Sequence, residues 1–163
     1  MKFLDTISDW LNKLLAWLAG AFLLGMVLLT CANILSRLFW VPIRGTFELM
    51  GFAGAVVTAF ALGYTQIKKG HISVDVLVEK FSPLHRRILV FINNTVCCAF
   101  FVLAAWQIAI KANTLKATGE VTETLRIIYY PFTYAVAFGC LILALVMLTD
   151  ILRQIIPAEG EEN

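Results

Sequence analysis

The sequence predicts an all-α membrane protein with four transmembrane helices, and three observations predict it. Of 163 residues, 60% are hydrophobic and only 15% charged, and the mean hydropathy is +0.83. Soluble domains are roughly half apolar and a quarter charged. The apolar residues fall into four runs, each long enough to cross about 30 Å of hydrocarbon, which takes roughly 20 helical residues. The charged residues gather between these runs or at their margins, and none lies in the middle of one. The expected organisation is one four-helix membrane domain over residues 1–163, with no appended soluble domain.

Residues 1–13 read as an amphipathic helix lying in the membrane interface. Phe3, Ile7, Trp10, Leu11 and Leu14 recur at helical spacing, with Lys2, Asp5, Asp9 and Lys13 on other faces. The two aspartates and the lack of a small-residue cleavage site argue against a signal peptide. The first span is expected at about 14–35, with Trp40, Pro42 and Gly45 marking a short connection to the second, at about 47–66. In that second span Gly51 and Ala55, then Ala59 and Gly63, are small pairs four residues apart, as expected where helix backbones approach closely in lipid. In the polar connection that follows, Val74, Leu77, Val78 and Phe81 predict a short amphipathic helix. Ser82 and Pro83 then read as the N-cap and first residue of a helix. The third span is expected at about 88–110 and the fourth at about 127–152, with Pro131 in its first turns, where a missing amide donor costs least. Residues 157–163 read as a flexible acidic tail. Trp10, Trp17, Trp40, Trp106, Tyr129 and Tyr130 fall near span ends, as aromatic anchors to the headgroup layer of membrane lipids do.

With both termini cytoplasmic, eight lysines and arginines lie inside (Lys2, Lys13, Lys68, Lys69, Lys80, Arg86, Arg87, Arg153) against five outside (Arg37, Arg44, Lys111, Lys116, Arg126). The bias favours that topology. The net charge of +2 is scattered over the loops and suggests no nucleic-acid partner. Cys31, Cys97, Cys98 and Cys140 lie in apolar runs at spacings that fit no metal or redox motif, so they read as small buried residues.

The candidate functional residues are therefore polar groups at span margins: Asn33, Arg37, Glu48, His71 and Asp75. Asn33 and Arg37 are four apart and share a helical face, and both are expected to approach Glu48 across the first hairpin. One reading is an interfacial ion pair that fixes the hairpin or meets another subunit. The other has Arg37 reaching lipid phosphates while Glu48 faces water. His71 and Asp75 would pair at i and i+4, or anchor their loop at the headgroups. No span carries a central ionisable residue for an ion path, or a histidine for haem, so no catalytic residue, metal or cofactor is expected.

Asn33 followed four residues later by Arg37, then Glu48 and Leu49, then a Gly/Ala-rich span closed by Lys69, Gly70, His71, Ile72, Ser73, Val74, Asp75 and Val76 resembles the small, DctQ-like membrane subunit of tripartite ATP-independent periplasmic (TRAP) transporters. Gly45, Thr46 and Phe47 stand where that family often has Trp, Ser or a second acidic residue. The resemblance implies a bacterial inner-membrane complex, not an enzyme. In it a periplasmic binding protein, transiently docked, delivers an organic acid such as a C4-dicarboxylate or sialic acid. A large membrane subunit moves it with sodium, and the small subunit packs against the large one as scaffold. Two other readings compete. An independent homo-oligomeric transporter would want an intramembrane carboxylate, and the membrane anchor of a redox enzyme would want haem ligands within its spans.

Overall fold

The computed structural model describes residues 2–68 and 82–155. Over these the chain forms four helices in antiparallel succession: α1 (Lys2–Phe39), α2 (Thr46–Ile67), α3 (Pro83–Thr118) and α4 (Tyr130–Ile155). Each contains a segment long and apolar enough to cross a membrane: Ser8–Phe39, Thr46–Ile67, Arg87–Thr118 and Tyr130–Leu152. The four-span helical architecture read from the sequence is the architecture of the protein. Tail residues 157–163, the helix expected near Val74–Phe81, and His71 and Asp75 lie outside the described residues.

The helices differ from the sequence reading mainly at their ends. Residues 1–13 were expected as a separate interfacial helix, yet Lys2–Phe39 is one uninterrupted helix. No glycine or proline occurs before Gly20, so nothing interrupts the backbone ladder where hydropathy changes. The helix already packs on the bundle at Ser8 and Asn12, which are 3% and 1% exposed. Helix α3 runs past the expected limit near residue 110 because Ala112 and Leu115, one turn apart, are buried. It stops at Gly119, whose left-handed φ of 67° lets its N–H reach the Leu115 carbonyl at 3.1 Å. At the start of α3, Ser82 and Pro83 take the expected cap positions. The Ser82 hydroxyl, however, meets His85 Nδ1 at 2.7 Å and leaves the helix amides alone.

Helix α4 is the centre of the bundle. It packs on both α2 and α3, α2 packs on α1, and α1 makes a smaller contact with α4. Half of the apolar stretch of α4 is buried, against 11% in α1 and α3, so those two flank the assembly with broad exposed faces. Leu15 and Ala19 of α1, Val56, Ala59 and Phe60 of α2, and Ile142 of α4 form the core. Lipid chains are as apolar as these side chains, so association in a bilayer depends on close packing and interhelical hydrogen bonds. Small residues supply the closeness. A Cβ at Gly139 would lie 2.6 Å from the Ala59 carbonyl oxygen, and one at Gly63 would run into the Asn12 side chain. Phe52 stacks on Phe132 with centroids 4.3 Å apart.

At the end of the bundle that holds both termini, polar clasps tie the helices. Gln66 Nε2 donates to Asp150 Oδ2 (3.2 Å), joining α2 to α4. Arg87 Nη2 donates to the Gln154 carbonyl (2.6 Å), placing a cation at the C-terminus of α4 where the helix dipole favours one.

Candidate functional site

The opposite end carries the α1–α2 hairpin and the α3–α4 loop, and its polar contacts converge on Glu48. The hairpin is held by its own side chains. Asn33 Oδ1 accepts from the Ile43 N–H (2.9 Å), the Ser36 hydroxyl donates to the Val41 carbonyl (2.6 Å), and the Thr46 hydroxyl donates to the Ile43 carbonyl (2.7 Å). Gly45 makes the final turn into α2 with φ at 75°, a conformation an L side chain resists. Glu48 then falls in the first turn of α2, where the positive helix end favours a carboxylate.

The α3–α4 loop folds into a small hairpin around an isolated antiparallel bridge between Val121 and Ile128. Thr122, 2% exposed, sets its neck: its N–H donates to the Ile127 carbonyl (2.9 Å) and its hydroxyl accepts from the Ile127 N–H (3.0 Å). Residues 123–126 turn inside this neck, with Arg126 at a left-handed φ of 52°. Such a turn leaves amides without ladder partners, open to side-chain acceptors or water. Glu48 pairs two of them. Its Oε1 accepts from the Thr124 N–H (2.7 Å) and its Oε2 from the Leu125 N–H (3.0 Å). A carboxylate that grips two successive amides makes charge-assisted bonds with defined direction. The Leu125 side chain lies directly over Gly45, in the space a Cβ there would occupy. A second contact, from the Tyr134 hydroxyl to Asn113 Oδ1, binds the last turns of α3 to α4.

Arg37 and Glu48 thus do not form the ion pair considered from the sequence. Arg37 is exposed at the end of α1, while Glu48 turns to the loop 76 residues away in sequence. Asn33 does share the hairpin with Glu48, but it holds the Ile43 amide within the hairpin, while Glu48 holds the Thr124 and Leu125 amides of the other connection. Thr122, Thr124 and Leu125 belong to this cluster and were not singled out from the sequence. Their only local signal is a run of threonines and glutamates after Gly119, which marks a loop without showing what it folds onto. Trp10, Trp17, Trp40 and Trp106 are all strongly exposed, whereas Tyr129 is half-buried and meets the Phe52 ring edge-on at 5.3 Å. Tyr130, also half-buried, meets Tyr134 in the same manner at 6.4 Å.

A groove of about 460 Å³ opens between α1 and α2, bounded by Gly25, Met26, Phe52, Ala53 and Phe132 among others. Every residue lining it is apolar, so it offers no donor or cation to an anionic substrate.

Fold and site together define a four-span membrane protein whose polar contacts at one end bind its own connections into a unit. A family model described as the DctQ component of tripartite ATP-independent periplasmic transporters matches residues 26–156, and the chain belongs to that family. The matched region takes in both connections at the Glu48 end and all of α2, α3 and α4. No curated protein and no solved structure matches the chain. The protein is the small membrane component of such a transporter, a multi-pass inner-membrane protein from a family of transporter parts and not of enzymes.

Proposed function

We propose that this subunit is the scaffold of a sodium-coupled transporter for an organic acid, such as a C4-dicarboxylate or sialic acid. A periplasmic protein delivers the acid, and a large membrane subunit translocates it. The present chain packs against that large subunit and holds its static part in the bilayer while the transporting part moves. Family membership over residues 26–156 is the observation that carries the reading. Two features of the chain support it. Charged residues of the spans stand only near their ends, so there is no midplane set of polar groups of the kind an ion-coupled substrate site requires. The hairpin end, cross-tied through Glu48, presents a firm surface and not two loose loops. In this reading both termini are cytoplasmic and the Glu48 end is periplasmic, where it is available to the binding protein.

The test is co-purification from membranes solubilised in mild detergent, with this chain tagged. A larger polytopic protein in stoichiometric amount is expected. Reconstituting the pair with candidate binding proteins and a sodium gradient should then give uptake of one carboxylate. A homo-oligomer alone would overturn the accessory role and favour an independent transporter.

A further inference from the structure

Helix α3 carries an outward stripe that lipid alone covers poorly. Asn93, Phe100 and Gln107 recur every seven residues, with Val96, Leu103 and Ile110 each three residues later; all six are exposed. This is the a/d pattern by which one helix packs along another at a small left-handed crossing angle. Two of its positions are carboxamides. Among the described residues no hydrogen bond reaches the Gln107 side chain, and Asn93 accepts only a long contact from Cys97 Sγ (3.9 Å).

Depth makes this costly, above all for Asn93. Arg87 and Lys111 are the nearest charges on α3, and the uncharged helix between them spans about 35 Å, slightly more than the hydrocarbon. Asn93 lies about 9 Å inside Arg87 and within the apolar layer, while Gln107, next to Trp106 and about 6 Å inside Lys111, lies at the layer's edge, about 21 Å away on the same face. Acyl chains offer the Asn93 amide nothing to bond, and the Gln107 amide is left to the headgroup boundary. Of the other polar side chains between Arg87 and Lys111, the Thr95 hydroxyl donates to the Phe91 carbonyl one turn back, and Asn94 is half-buried off the stripe. Helix α1, exposed to the same extent, is apolar on its outer face from Leu18 to Leu28 and is suited to lipid.

We propose that the Asn93–Ile110 stripe of α3 is the face on which a transmembrane helix of the large subunit docks, bringing hydrogen-bonding side chains or backbone carbonyls to the levels of Asn93 and Gln107. The inference rests on the accessory-subunit reading and assigns its contact surface.

The experiment places a photo-crosslinking residue at Val96, Leu103 or Ile110 of the full chain, co-expressed with the large subunit, and at Leu24 or Leu28 of α1 for comparison. Adducts with the large subunit are expected from the three α3 positions and not from α1. In parallel, the double substitution Asn93→Leu and Gln107→Leu should leave the isolated subunit at least as stable to heat, because leucine suits lipid. Recovery of the large subunit should fall about tenfold, roughly threefold for each interhelical hydrogen bond lost. Adducts from α1 in place of α3, adducts only with a second copy or with lipid, or undiminished recovery of the double variant would overturn the assignment while the complex itself stood. If the wild-type chain recovers no larger membrane protein, the accessory reading fails and the docking face fails with it.

Discussion

Removing the Glu48 carboxylate leaves the exposed Thr124 and Leu125 amides to water and unties the loop from α2. Glu48→Ala should therefore loosen the α3–α4 loop: limited proteolysis within 120–128 should accelerate and the melting temperature in detergent should fall. Glu48→Gln keeps one acceptor oxygen and should recover part of both. Equal behaviour of the two variants with wild type would show that the bonds hold nothing. Arg37 is the contrast. It is exposed and forms no ion pair with Glu48, so Arg37→Ala should leave the melting temperature within a degree or two of wild type. If Arg37 meets the large subunit or lipid phosphate, the loss should appear in co-purification or uptake. These two residues were both legible as margin-of-span polar groups. Their separate jobs were not, because the partner of Glu48 lies 76 residues away and only tertiary folding brings it there.

At the scale of elements, two glycines test how connections and helices fit. Gly45→Ala combines a positive φ with a collision against Leu125 and should cost about 1–2 kcal/mol from the backbone alone, with more from the clash. Pairing it with Leu125→Ala should return the clash but not the backbone cost, so a double-mutant cycle in a denaturant titration should show coupling. Additive effects would mean that Leu125 does not sit on Gly45. Within the helices, Gly139→Ala pushes against the Ala59 backbone, which no rotamer change can relieve, and should cost about 1–3 kcal/mol. Gly51→Ala meets no atom within 4 Å and should be near neutral, since alanine is the better helix former. The small pairs of α2 show how far periodicity reads. Ala59 and Gly63 do receive close neighbours, from α4 and α1, while Gly51 and Ala55, on the same pattern, face outward. Hydropathy located the four helices because lipid imposes length and apolarity on each one separately. It missed the continuity of α1 and the extra turns of α3, where helix-to-helix contacts, and not the bilayer, decide where the helix ends.

At the scale of the molecule, the two ends differ in kind. The end where α1 begins and α4 finishes joins its helices through side-chain clasps from Gln66 and Arg87, and by sequence eight of the 13 lysines and arginines are assigned to its side of the membrane. The Glu48 end instead locks two connections together, and by sequence the other five basic residues are assigned to its side. In the orientation we propose from the charge bias, the terminal end lies in the cytoplasm and the locked end in the periplasm, within reach of a binding protein. A cysteine introduced at Glu123, exposed on the α3–α4 loop, should react in intact cells with a thiol reagent that cannot cross the membrane. A cysteine at Ser73, in the connection between α2 and α3, should resist it until the membrane is permeabilised. The chain without added cysteines is the necessary control, because Cys31, Cys97 and Cys98 are at least partly accessible within the spans. Labelling at Ser73 with protection at Glu123 would invert the protein. The Glu48-locked surface would then face the cytoplasm, beyond reach of any periplasmic partner, while the α3 face, being within the membrane, would keep its proposed role.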